Sequence, residues 1–448
     1  MAQDQEADID NKDVVLAEPG SHPFPDADPS KIDAGYNLTG EAGVDHDALR
    51  IIKLPQSKWV RRYRGVVFQM IVLALLAFSG PSMSNAISGL GGGGLATPYT
   101  ANAASATQYS VSTVIAMLGG PLVGILGIPV CCLIGLYGVT SAFLYEKCLL
   151  YHWSAISLAL NINKSGGGGV SVETYLAFLG MECLGVPFAF LLSPTRKVIR
   201  DDGYGVPVLP KKSWKKELKL LWEHHKQPRT LLLIPIFILT YFGDGVWGTY
   251  MSLHFSVRGR ALSTLVNSLG AVVVNLAFSR ILDTKRFGPR RKANLAFWTF
   301  TIPALAMLIW VMINLHWFGT KPASLRLDYG STPGRFVSAW FPHFIYATMS
   351  WASQTLVYWV LGQFASDMTT NARTGGVFRS WETVGQAVSY GINAHSGNKY
   401  VPFGIYFGLY VISMPLFWIV LQTLPTETKR PNIQDENGQI VEMPEPTK

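Results

Sequence analysis

An all-α bundle of membrane-spanning helices is the fold class this sequence predicts. Long apolar runs recur along the chain, for example at 66–78, 231–241, 293–315 and 403–424, each closed by a polar turn. Only 15% of the 448 residues are charged while 49% are hydrophobic, whereas soluble domains carry about 25% charged residues. Lys and Arg gather at the ends of the apolar runs. A chain in hydrocarbon must satisfy its own backbone hydrogen bonds, so such runs cross as helices of roughly 20 residues. Hydropathy divides the chain into about ten spans, four before a long basic loop and six after it. Transport, channel activity, signalling and scaffolding in the bilayer are the functions this class admits.

Each element follows from local pattern. Residues 1–57 are acidic, rich in Pro and Gly and aperiodic, and read as a disordered tail. No signal-peptide pattern opens the chain, so the first span is expected to act as the targeting signal. Residues 58–193 form the first half: span one over 65–90, an uncharged Gly/Ala/Ser loop through Gln108, span two over 109–125, span three over 129–145 and span four over 172–192. The apolar piece 149–160 is too short to cross, and Gly166, Gly167, Gly168 and Gly169 read as a flexible connector. Residues 194–230 make a basic loop. Within it Trp214, Leu218, Leu221 and Trp222 recur at helical spacing among lysines, giving an amphipathic helix that either lies on the membrane surface or packs on the bundle. Six spans follow near 231–251, 261–282, 294–317, 336–362, 375–394 and 402–424, and residues 425–448 form a polar tail. Cys131, Cys132, Cys148 and Cys183 fit no zinc or redox spacing and read as small packing residues.

Basic residues orient the bundle. Clusters at 58–64, 196–229, 285–292, Arg373 and 429–430 fall on one side. Lys147, Lys164, Arg258, Arg260, Lys321, Arg326, Arg335 and Lys399 scatter on the other. The bias of roughly two to one places both termini and the basic loop in the cytoplasm. A net charge of +8 therefore reflects membrane topology, and no nucleic-acid partner is expected.

Two halves joined by a long basic loop resemble the major facilitator superfamily. More specific residues resemble its Unc-ninety-three-like branch. They are Gly80-Pro81-Ser82-Met83-Ser84-Asn85-Ala86-Ile87-Ser88-Gly89-Leu90 at the end of span one, and Asn102-Ala103-Ala104 before span two. Lys197-Val198-Ile199-Arg200-Asp201-Asp202-Gly203 with Trp214, and Arg258, Arg260, Ala261 and Leu262, continue the likeness. It covers about residues 58–425 and is nearest to fungal members. Ser82 and Ser84 depart from the branch's usual glycine and apolar residue, and Gly127-Ile128-Pro129 stands where a basic residue is usual. The resemblance implies six spans in each half, so two are missing here, between 148 and 154. It also implies either transport of a small solute or a regulatory or trafficking role toward another membrane protein.

Polar residues inside spans are costly and so mark candidate sites. Arg379, Glu382 and Gln386 stand at i, i+3 and i+7, on one helical face, with Trp381, Gly385 and Asn393 nearby. They line a cavity or proton path, or else Arg379 and Glu382 simply pair while Gln386 serves a helix contact. Asp244 lies between Gly243 and Gly245, which permit a broken or tightly packed helix; the alternative is a solvated carboxylate near the outer boundary. His343 and Gln354 face an interior, where His343 is either a site residue or a satisfied packing residue. Asn85 and the glycines at 89–94 let span one pack closely or unwind. No strand precedes those glycines and no Lys-Ser/Thr follows, so no phosphate cradle is expected. His224-His225 has no metal-ligand spacing, no nucleophile–base–orienter set appears, and neither enzyme activity nor a cofactor is expected.

This layout makes the loop at 163–165 external. Protease digestion of sealed vesicles should spare that side and cut the tails and the 196–229 loop from the cytoplasmic face. Asn163, in an Asn-Lys-Ser sequon, is then open to glycosylation and Asn37 is not. A protected C-terminus with an accessible 166–169 connector would reverse the assignment.

Overall fold

A computed structural model describes residues 58–79, 97–119, 161–169, 183–194, 214–364, 368–395 and 397–426, a few isolated positions, and the pairs 433–434 and 440–441. It is an all-α membrane bundle, apart from the antiparallel two-residue strands Ile433–Gln434 and Ile440–Val441. Helices α1 (Lys58–Arg64), α2 (Val66–Ser79), α3 (Tyr99–Met117) and α4 (Gly185–Phe190) precede the basic loop. Helix α5 (Trp214–Lys226) lies within it. Then come α6 (Pro228–His254), α7 (Val257–Asp283), α8 (Pro289–Gly319), α9 (Pro333–Phe364), α10 (Met368–Ile392) and α11 (Tyr400–Gln422). Among the described residues four helices, α6, α7, α8 and α11, are long and apolar enough to cross a membrane. Helices α9 and α10 have the length but carry more polar residues. The expected gap at 148–154, span three, Asn85, Cys131, Cys132 and Cys148 lie outside the described residues. Cys183 is exposed, so it does not serve the packing role expected of it.

The core is aromatic. Trp247 of α6 is fully buried and stacks on Tyr346 at 5.6 Å, with Tyr250 and Phe403 edge-on at 5.4 and 5.1 Å. The opposite faces carry Leu269, Val273 and Leu276 on α7 and Ile302, Ile309 and Ile313 on α8, all exposed. In a bilayer these residues meet lipid, which is as apolar as they are. Close packing and polar bonds, not transfer from water, must therefore hold the helices together.

Glycines set the closest approaches. A Cβ at Gly385 of α10 would strike the carbonyl oxygen of Ile238 on α6, and one at Gly245 would sit 2.8 Å from Ser389 Oγ and Tyr390 N. Gly243 faces the Tyr346 ring in the same way. Of the two readings for the glycines flanking Asp244, the structure has tight packing within an unbroken helix.

Helix α3 begins at Tyr99, ten residues before the expected start of span two. The stretch from Ala101 to Gln108 is rich in Ala, a strong helix former. Its polar residues bond within the protein, Asn102 across to α6 and the end of α10 and Thr107 back to the Ala103 carbonyl, so low hydropathy hid the helix. Asn102 donates to Thr249 Oγ1 at 2.8 Å and to the Asn393 carbonyl at 2.6 Å. Thr113 donates to Thr383 Oγ1 at 3.1 Å, Ser380 donates to the Thr113 carbonyl at 3.0 Å, and Tyr109 stacks on Tyr390 at 5.5 Å.

The expected flexible connector is instead docked. Val257 N donates to the Gly166 carbonyl at 3.1 Å, Arg258 N to Lys164 at 3.1 Å, and the Arg260 guanidinium to Gly168 at 2.5 Å. Gly168 holds φ of 144°, a region that disfavours side chains, and so aims its carbonyl at Arg260. Beneath it Asp328 accepts from both edges of Arg258 at 2.8 and 2.5 Å, from Ser256 at 2.6 Å and from Gly330 N at 2.9 Å. At the other end α5 turns Leu221 and His224 inward and leaves Trp214, Leu218 and Trp222 exposed. Thr374 and His224 Nε2 lie 3.2 Å apart. The amphipathic helix thus packs on the bundle by one edge and keeps an apolar face free for the bilayer surface.

Two tests follow from this packing. Gly385→Ala should lower the thermal midpoint of the detergent-purified protein, an overpacking cost of about 1–3 kcal/mol. Gly404→Ala, which meets nothing within 4 Å, should leave it unchanged or slightly higher; equal effects would refute the close approach. Hydrogen bonding from Arg258 holds the Asp328 carboxyl well below the usual carboxylate range. Because the folded value is lowered, the stabilisation is complete above about pH 4 and fades as pH falls toward that value. Asp328→Asn should remove this acid-side loss from a stability–pH profile, and an unaltered profile would assign it to another group.

Candidate functional site

Five of the residues singled out in the sequence converge between α6, α9 and α10. Glu382 is 1% exposed and accepts from two sides: Arg379 Nη1 at 2.5 Å, one turn earlier, and Gln354 Nε2 of α9 at 2.6 Å. Tyr241 of α6 reaches the Gln354 carbonyl oxygen at 3.4 Å. One turn further along α10, Gln386 donates to Asp244 of α6 at 3.0 Å, and Tyr346 of α9 donates to the other Asp244 oxygen at 2.6 Å. Asp244 is therefore engaged inside the bundle and is not the solvated boundary carboxylate that the sequence also allowed. Gln386 bonds a neighbouring helix through this carboxylate.

The i, i+3, i+7 spacing on α10 explains the geometry. Arg379 and Glu382 pair within the helix, and Gln386 continues the same stripe toward α6. Gly385 and Gly245 bring the backbones close enough for short side chains to meet. The two partners are unequally placed: the Glu382 side chain is buried and that of Arg379 is 50% exposed.

His343 lies one turn before Tyr346 on α9 and outside this pair of carboxylates. Trp340 Nε1 donates to Ser263 Oγ at 2.8 Å, and Asn267 Nδ2 approaches the same oxygen at 3.3 Å. His343 Nδ1 lies 3.2 Å from Ser263 Oγ and 3.3 Å from Asn267 Nδ2. The ring stacks at 5.6 Å from Trp247 and 6.2 Å from Tyr346. His343 is a bonded packing residue that buttresses Tyr346. Sequence reading missed Tyr346 and Tyr241. Tyr346 stands three residues after His343, a helical spacing that would have found it, whereas nothing local marked Tyr241.

Two carboxylates are thus held by neutral donors and one guanidinium. Glu382 depends on Arg379 for its charge partner, since its other donor, Gln354, is neutral. Space beside the network is small: a pocket of about 30 Å³ touches Thr240, Tyr346, Ser350 and Tyr406, comparable to the share of one water, ~30 Å³. Among the described residues no group of three His, Cys, Asp or Glu side chains is placed to hold a metal.

No protein-family profile matches the chain. Notoamide biosynthesis cluster protein O′ of Aspergillus versicolor is 27% identical over 387 residues, covering 74% of this chain and 83% of its own length. UNC93-like protein 1 of Arabidopsis thaliana is 22% identical over 449 residues, covering 87% and 96%. An UNC93-like protein of Schizosaccharomyces pombe is 22% identical over 501 residues, covering 92% and 96%. With its helical bundle and these relatives, the chain is a multi-pass membrane protein similar along most of its length to UNC93-like proteins.

Proposed function

We propose that this protein moves a small solute across the membrane, with Glu382, Arg379 and Asp244 as its coupling centre. The supporting observation is a buried carboxylate, Glu382, tied to a half-exposed guanidinium across a bundle whose outer faces are apolar. A purely structural ion pair at such depth is commonly no better than apolar residues of similar volume. Charges there are the default functional candidates. Arg379 has an open edge to which an acceptor group of a solute can bond, a proton can then take its place on the Glu382 carboxylate, and Gln354 keeps Glu382 bonded during the exchange. On this reading the bonded centre, with Arg379 half-exposed, is one state of an alternating cycle. The cycle runs in a four-span first half joined to a six-span second half, with both termini in the cytoplasm.

The test is Glu382→Gln in sealed proteoliposomes, with a trapped pH dye and radiolabelled small metabolites outside. Gln still accepts from Gln354, and Arg379 can be solvated, so folded yield should stay near that of the wild type. Coupled movement should fall at least tenfold. Normal movement in the variant would end the proposal.

A further inference from the structure

A second polar opening lies away from this centre, where α6 ends and α11 begins. We propose that the cleft between Tyr99, His254 and Lys399 is a binding site for a small carboxylate anion. Its volume is about 130 Å³, several waters' worth at ~30 Å³ each, which fits a short organic acid and excludes a peptide. The walls are rings, Tyr99, Tyr250 and Phe403, suited to an apolar stub, and the polar lining holds the Lys399 ammonium with Asn393, Asn398 and the His254 and His395 imidazoles as hydrogen-bonding groups. Among the described residues no Asp or Glu lines it.

Charge at this end of the bundle is one-sided. The segments 252–260, 319–335 and 392–400 hold Arg258, Arg260, Lys321, Arg326, Arg335 and Lys399 against a single acid, Asp328. Asp328 is consumed by Arg258, Ser256 and Gly330. Lys321 and Arg335 are turned onto the Trp317 ring, at 5.5 and 4.8 Å from its centroid. Among the described residues neither Lys399 nor Arg326 has an ion-pair partner. Burial and the neighbouring Arg326 charge push the Lys399 ammonium below its ordinary value. Lys399, the one ammonium lining the cleft, without an ion-pair partner among the described residues and with Asp328 already engaged, favours an anion as occupant.

The cleft also connects to the seam between α3 and α10. Thr249 and Asn393, which line its floor, are the residues that Asn102 bridges. An anion there would sit beside the α3 contact and toward the Glu382 centre. The site fits the transport reading as an entry point, but its binding is independent of that reading.

The experiment is equilibrium binding of radiolabelled propionate to purified wild-type protein in detergent, with propionamide as the uncharged isostere and chloride as competitor. Saturable propionate binding is expected, weakened at least tenfold by Lys399→Met and largely kept by Lys399→Arg. Lys321→Met, whose side chain lies on Trp317, should bind normally. Propionamide should not compete. Glu382→Gln should retain binding even where it abolishes movement, so failure of the coupling centre and failure of the cleft are separable. Absence of saturable binding, equal competition by propionamide or chloride, or unchanged affinity in Lys399→Met would each overturn the proposal.

Discussion

The Arg379–Glu382 ion pair, with Gln354 as its third member, is the interaction on which the rest of the described bundle turns. Lipid supplies no transfer energy for pressing apolar helices together. What remains is close packing, densest where α10 meets α3 and α6, and polar bonding, which adds α9 to that contact. Glu382 ties α10 to α9 through Gln354, and Asp244 ties α6 to both through Tyr346 and Gln386. Gly243, Gly245 and Gly385 are the condition for this, because a Cβ at any of them would push the helices apart before the side chains could bond.

From that centre the structure extends in two directions. On one side Trp247 and the aromatic core back Tyr346 and His343, so the phenol that holds Asp244 is fixed by packing. On the other side α3 lies along α10 through Asn102, Tyr109 and Thr113. The docked connector and the Arg258–Asp328 pair close one end, and α5 closes the other. A movement of α10 would therefore be felt at the carboxylates, at α3 and beside the Lys399 cleft together.

Hydropathy and charge made the fold class readable because lipid-facing residues dominate it. The helices α6, α7, α8 and α11 lie within a few residues of where apolar runs placed them. Helix α3 was misplaced for the opposite reason: Asn102, Tyr109 and Thr113 bond or stack on α10 while Thr107 and Ser110 bond back to their own helix, and a scale built on transfer to lipid reads such a polar stretch as a loop. The glycines at 166–169 were misread because a pattern of flexibility says nothing about carbonyls captured by the Val257 amide and Arg260. Within the site, the stripe Arg379–Glu382–Gln386 was visible since one helix carries all three. Its pairing with Asp244, and the use of Tyr346 and Tyr241, depend on contacts between residues more than a hundred positions apart, which a single sequence does not display.

The most direct measurement is a double-mutant cycle on the pair, read as folded yield and thermal midpoint in detergent for Arg379→Met, Glu382→Gln and the double variant. Because Glu382 is buried and Arg379 half-exposed, removing the arginine strands a charge, while removing the carboxylate frees one to be solvated. Arg379→Met should be the more damaging by several kcal/mol, and adding Glu382→Gln should restore most of the loss. If the two losses simply add, or if Glu382→Gln is the worse of the two, the carboxylate is not held as a charged partner of Arg379 and the account fails.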